Sequence, residues 1–233
     1  QHLEKLGACD VVIEAIAERM DLKRALYEKI APFLGEQTIF ASNTSGLSIN
    51  SLAQAFPEAL RHRFCGIHFF NPPRYMHLVE LIPCAQSDAK MLDHLEAFLV
   101  TSLGKGVIRA KDTPNFIANR IGVFSLLATM HHGQAFGLEF DEVDALTGAL
   151  IGRPKSATFR TADVVGLDTL AHVIHTMRDT LPGDDWHTFF AVPDWLQRLI
   201  DDGALGQKTK RGVYQKVGGE IQVFDRKSNA YRV

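Results

Sequence analysis

The chain is predicted to fold as an α/β layer followed by a mostly helical region. Between residues 10 and 110, short apolar runs of strand composition alternate with segments of helical period. From Lys111-Asp-Thr-Pro114 to about residue 204, the apolar spacing is almost entirely helical. Gly212-Val-Tyr-Gln and Glu220-Ile-Gln-Val-Phe, joined through Gly218-Gly219, then read as a terminal hairpin.

Asp10-Val-Val-Ile-Glu14 is the first strand candidate, and residues 20 to 34 follow with Leu22, Leu26, Ile30 and Phe33 at helical spacing. Thr38-Ile-Phe-Ala-Ser42 is the next strand. It ends in the polar turn Asn43-Thr-Ser-Gly46, after which Ser48 can cap a helix whose apolar face is Ile49, Leu52, Ala53 and Phe56. Residues 66 to 82 hold two apolar runs separated by Asn71-Pro72-Pro73, which cannot continue a strand ladder. A helix from about Asp88 to Leu103 and a strand at Gly106-Val-Ile-Arg-Ala110 complete a layer with a largely parallel sheet. The Pro-containing turn marks a boundary between residues 1–111 and 112–233. Thr113 and Pro114 suit the start of a long helix to about Phe136. Asp141, Asp168 and Pro193 open further helices, with Leu170, Ile174, Met177 and Leu181 on one buried face.

With 233 residues, 46% of them hydrophobic and 22% charged, the chain has room for one large or two small domains. A net charge of -2 with scattered basic residues gives no reason to expect nucleic acid or anionic lipid as partner. No apolar run is long enough to span a bilayer and no secretory leader is visible, so a cytoplasmic protein is expected. Cys9, Cys65 and Cys84 lie in or beside apolar runs and are expected to be reduced, buried thiols. The chain starts at Gln1 without methionine and is expected to be a piece of something longer.

His68 and Glu80 are equidistant from Arg74. If the two runs fold back about that point, the pair lies directly opposite across the strands, with Cβ atoms roughly 4.5 to 5.5 Å apart. Glu80, inside Leu-Val-Glu-Leu-Ile, needs a partner if buried. A histidine facing a carboxylate has the makings of a general base, and a structural histidine is the alternative. Ser42-Asn-Thr-Ser45 lies at the carboxyl end of a strand, where α/β sheets bind ligands; a turn with a helix cap is the other reading. Asn119 shares a helical face with Val123, Leu126 and Met130 and needs hydrogen-bond partners, from substrate or from backbone. Glu18 and Lys23 can reach a ribose or phosphate, or be solvated charges at a helix start. Gly148-Ala-Leu-Ile-Gly-Arg-Pro-Lys-Ser156 is interrupted by Arg153-Pro154 and follows no strand, which excludes a phosphate loop. His131-His132 lacks a further ligand at metal-like spacing, and no metal site is expected.

Val11-Val-Ile-Glu-Ala-Ile-Ala-Glu18, Ser42-Asn-Thr-Ser45, His68-Phe-Phe-Asn-Pro72, Leu78-Val-Glu80, Lys111-Asp-Thr-Pro-Asn-Phe-Ile-Ala-Asn-Arg120 and Val165-Gly-Leu-Asp168 occur in one order and together resemble the L-3-hydroxyacyl-CoA dehydrogenases. Ile151 to Thr161 and the tail Gly206 to Tyr214 resemble the bacterial fatty-acid β-oxidation type, in which a dehydrogenase and an enoyl-CoA hydratase are fused. The resemblance implies a Rossmann-like NAD domain followed by a helical domain that supports a homodimer and closes over the acyl-CoA substrate. It implies His68 as the catalytic base, Glu80 as its acidic partner, and Ser45 and Asn119 as holders of the substrate oxygen. Glu18, Lys23, Asn43, Ser45, Asn71 and Lys208 match positions associated with NAD.

The family opens with a strand, a Gly-x-Gly-x-x-Gly turn and a helix, and no such turn occurs in this sequence. The expected fold is therefore a partial Rossmann-like domain without its first βαβ portion, with an apolar edge left open. Weak NAD binding by this piece alone is expected. A rival reading is a non-catalytic structural or assembly module that keeps the dehydrogenase fold; the intact His68, Glu80, Ser45 and Asn119 set speaks against it.

Overall fold

The computed structural model describes residues 2–233. The chain divides into two compact units, Gln1–Ile117 and Ala118–Val233.

The first unit is a five-stranded sheet in sequential order: β1 (Val11–Glu14), β2 (Ile39–Ser42), β3 (Phe64–Phe69), β4 (Leu78–Pro83) and β5 (Gly106–Arg109). All neighbouring pairs are parallel except β3 with β4, which run antiparallel. Alternation of side chains sends Phe40, Phe64 and Ile82 to a core shared with α1 (Met20–Ile30) and α2 (Ile49–Gln54). Ile39, Ala41, Cys65, Ile67, Val79 and Leu81 go to the other face, against α3 (Ala89–Thr101). Phe40 stacks on Phe56 at 4.9 Å and meets Tyr27 edge-on at 5.1 Å. Gly66 lets α2 approach the sheet, since a Cβ there would lie 2.6 Å from Ile49 Cδ1. Ser48 accepts the Ser51 N–H and Asp88 the Met91 N–H, capping α2 and α3. Strand β1 lies at one edge, with Ile13 and Ile16 exposed along it and just beyond.

In the second unit, α4 (Ala118–Ala135), α5 (Phe140–Thr147), α6 (Phe159–Val165), α7 (Leu167–Thr180) and α8 (Asp194–Asp201) surround one core. It includes Val123, Leu127 and Met130 of α4 and Leu170, Ile174 and Met177 of α7. The chain then forms an antiparallel sheet of β6 (Tyr214–Val217), β7 (Glu220–Asp225) and β8 (Ala230–Arg232).

Four expectations need correction. The long helix begins at Ala118 rather than at Thr113-Pro114, because Asn115 and Phe116 take φ of 59° and 49° and interrupt it. The first helix ends at Ile30 and gives way to a short 3-10 turn, Ala31–Phe33, that contains Pro32. The terminal hairpin gains a third strand, β8, too short to show an alternating pattern. Cys9 is exposed, while Cys65 and Cys84 are buried as expected; all three are free.

Candidate active site

Strands β1, β2 and β3 run parallel, so their carboxyl ends bring Glu14, Ser42 and His68 to one edge of the sheet. The β3–β4 register places His68 directly opposite Glu80. His68 Nδ1 lies 2.7 Å from Glu80 Oε2, and its Nε2 lies 3.1 Å from Ser45 Oγ. Glu80 is fully buried and its Oε1 accepts the Ile117 N–H at 2.8 Å. A carboxylate offers only acceptors, so a neutral imidazole in this place donates from Nδ1 to Glu80 and leaves Nε2 as the acceptor toward exposed Ser45.

The loop after β2 is held from below. Glu18 Oε1 accepts from the Ser45 and Gly46 N–H groups at 2.8 Å each and from Thr44 Oγ1 at 2.5 Å. Asn43 Oδ1 accepts the Phe69 N–H at 2.9 Å, tying the loop to the end of β3 beside His68. Asp112 accepts from Ser48 Oγ and the Ile49 and Asn50 N–H groups, anchoring the start of α2. Asn71 is exposed on the β3–β4 connection.

Lys23 sits one layer behind. Its side chain is fully enclosed, with Nζ 2.8 Å from both Glu14 oxygens and 3.9 Å from Glu18 Oε2. Of the two readings of Lys23, the solvated charge at a helix start is corrected: its ammonium is buried, neutralises Glu14 and faces Glu18. Tyr27 and Ser42 also donate to Glu14. Burial alone would raise the Glu14 carboxyl, but hydrogen bonds from Lys23, Ser42 and Tyr27 outweigh it and hold the group below the ordinary carboxylate range. Glu14 was not singled out from the sequence. The signal was there, since it ends an apolar strand run as Glu80 interrupts one.

Asn119 and Lys208 belong to the second unit. Asn119 is half-buried near the start of α4. Lys208 Nζ is ion-paired to Asp168 at 2.5 Å, which holds the Asp168 carboxyl below the usual range. His131 and His132 are exposed on α4. No group of histidine, cysteine and acidic side chains among the described residues is arranged to hold a metal ion.

Residues 1–113 match the family of 3-hydroxyacyl-CoA dehydrogenase NAD binding domains, and residues 116–216 match the C-terminal domain of the same enzymes. The chain belongs to the 3-hydroxyacyl-CoA dehydrogenase family. A probable 3-hydroxyacyl-CoA dehydrogenase of Bacillus subtilis is 43% identical over 95% of this chain, which spans 28% of that relative. A putative fatty acid oxidation complex trifunctional enzyme of Rickettsia prowazekii is 36% identical over 91% of this chain, which spans 30% of its length. The crystal structure of (S)-3-hydroxybutyryl-CoA dehydrogenase from Ralstonia eutropha superposes with a TM-score of 0.81 at 33% identity, covering 92% of this chain and 73% of that one. No helix among the described residues is long and apolar enough to cross a membrane.

NAD is the cofactor of this dehydrogenase domain. The residues present fit its nicotinamide half. Glu18 is part-exposed and three donors engage its Oε1, which leaves Oε2 with lone pairs for ribose hydroxyls. A glycine-rich turn from a strand into a helix, which would cradle the pyrophosphate, does not occur among the described residues.

Proposed function

We propose that the protein oxidises L-3-hydroxyacyl-CoA to 3-oxoacyl-CoA with NAD, using His68 as the base and Glu80 as its partner. The observation that carries this reading is the relay Ser45 Oγ, His68 Nε2, His68 Nδ1, Glu80 at the carboxyl ends of parallel strands. NAD supplies the hydride acceptor. His68 Nε2 takes the proton of the 3-hydroxyl, and Glu80 stabilises the imidazolium that results. Ser45 Oγ, beside Nε2, donates a hydrogen bond to the substrate oxygen, and Asn119 is assigned the same task. Glu18 serves the cofactor through Oε2 while its Oε1 keeps the Ser45 loop in place; Asn43 fixes that loop beside His68. Asn71 and Lys208 complete the proposed NAD contacts, Lys208 after exchange from Asp168. Lys23 serves the cofactor through its placement of Glu14 and Glu18.

The reading extends to a homodimer built on the helical unit, to a cytoplasmic setting and to association with an enoyl-CoA hydratase domain. The last is supported by the name of the Rickettsia relative. The test is NADH consumption with acetoacetyl-CoA, followed by nicotinamide absorbance, in the protein at its full natural length. Native protein turns over, and His68→Gln binds NADH normally but loses hydride transfer. Near-native turnover by His68→Gln would remove the base assignment, and absence of turnover in native protein would favour a structural module instead.

A further inference from the structure

We propose that the turn Asn115-Phe116-Ile117 is a positioning element for the His68–Glu80 pair, fixing which imidazole nitrogen carries the proton. The consequence for rate rests on the reading of His68 as base; the tautomer itself does not.

The turn meets both members of the pair. The Ile117 N–H donates to Glu80 Oε1 at 2.8 Å, while Oε2 of the same carboxylate faces His68 Nδ1 at 2.7 Å. The Phe116 ring, 3% exposed, lies 5.6 Å from the imidazole, which also meets the Phe70 ring at 4.5 Å. The turn is also unfavourable in itself. Asn115 and Phe116 adopt φ of 59° and 49° in succession, a left-handed conformation that asparagine tolerates but a bulky side chain such as that of Phe116 resists. Asn115 is buried and its Nδ2 has no hydrogen-bond partner among the described residues. Neither feature benefits the turn locally. What the left-handed pair achieves is to bury Phe116 and to bring the next N–H onto a buried carboxylate.

That contact has a chemical consequence. With Oε1 engaged by a backbone donor, the Glu80 carboxylate is hindered from rotating, and Oε2 stays aimed at Nδ1. The Nδ1–H tautomer is then favoured and the Nε2 lone pair faces Ser45. If the turn relaxes, the carboxylate loses a fixed donor, and neutral imidazole populates the Nε2–H tautomer as well. That form cannot accept a proton at Nε2.

Long-range proton–nitrogen spectra of histidine-labelled full-length protein, without substrate or NAD, test this directly, with the His68 signals assigned by their loss in His68→Gln. Native protein should show His68 as one Nδ1–H tautomer. Asn115→Gly suits the positive φ and removes the unpartnered amide, so it should keep that tautomer and a kcat within about twofold of native. Asn115→Val resists positive φ, so it should show mixed tautomers and a kcat lower by roughly tenfold or more, with KM for NADH little changed. If Asn115→Val does not fold, Phe116→Leu should show the same change to a smaller extent. A folded Asn115→Val, or failing that Phe116→Leu, with the native tautomer overturns the proposal. Loss of the tautomer in folded Asn115→Gly does so as well. Mixed tautomers with unchanged kcat would leave the positioning role standing and remove the base assignment instead.

Discussion

Two sets of buried carboxylates divide the molecule. In the first unit, Glu14 and Glu80 face ionisable partners, Lys23 and His68, at 2.8 and 2.7 Å. In the second, Asp144 and Asp163 mainly face backbone. Asp144 accepts from the Thr158, Phe159 and Arg160 N–H groups at the start of α6, and from the Tyr214 hydroxyl. Asp163 accepts from the Val213 and Tyr214 N–H groups and so holds the entry to β6 against α6. Burial pushes the Asp163 carboxyl up to about 6, because two backbone donors do not offset the lost solvation and Asp144 adds repulsion. Asp144 is raised in the same way, whereas Glu14 is lowered. On the reading of His68 as base, Glu80 is equipped for chemistry and Glu14 for holding a buried cation, whereas an acid beside backbone amides does the work of a cap.

The largest effect should come from Glu80→Gln. The amide can still accept from Ile117 N–H, but its NH₂ favours an imidazole that accepts at Nδ1, which leaves the proton on Nε2. A fall in kcat of roughly 10³- to 10⁴-fold is expected in the acetoacetyl-CoA assay, with NADH affinity retained. Next is Lys23→Met, which leaves Glu14 buried without its counter-charge. Chemical unfolding should show a loss of about 3–5 kcal/mol, much of it recovered when Glu14→Gln is added.

The third effect is a pH dependence located in the second unit. The folded Asp163 carboxyl lies above its unfolded value near 3.8, so the native state holds the extra proton. Its contribution is fully present below about pH 4 and is lost as pH rises through about 6, a change on the order of 3 kcal/mol from a shift of this size. Unfolding midpoints across that window should lose this component of their slope in Asp163→Asn. The smallest effect is expected of Asp144→Asn, about 1–3 kcal/mol, since the amide oxygen replaces only part of the α6 cap. Turnover should survive it.

The pairing at the centre of the site was legible in the sequence because strand register follows from spacing. His68 and Glu80 flank Arg74 at equal distance, and the ladder pairs them. The polar turn after β2, with Ser48 capping the helix that follows, was legible on the same local logic. The turn at Asn115 was not. Thr113-Pro114 is a local helix-start signal, and it was overridden by contacts distant in sequence: Phe116 in the aromatic core and Ile117 N–H on Glu80. The burial of Lys23 was hidden for a similar reason. Its partner Glu14 lies nine residues earlier on a different element, and nothing local reports that the two meet.

The most direct test of the distinction is turnover at saturating acetoacetyl-CoA and NADH, measured side by side in Glu80→Gln and Asp163→Asn. Both replace one buried carboxyl by an amide. The account predicts a loss of roughly 10³-fold or more in Glu80→Gln and a kcat within about twofold of native in Asp163→Asn. Equal losses in the two variants, or native turnover in Glu80→Gln, would contradict it.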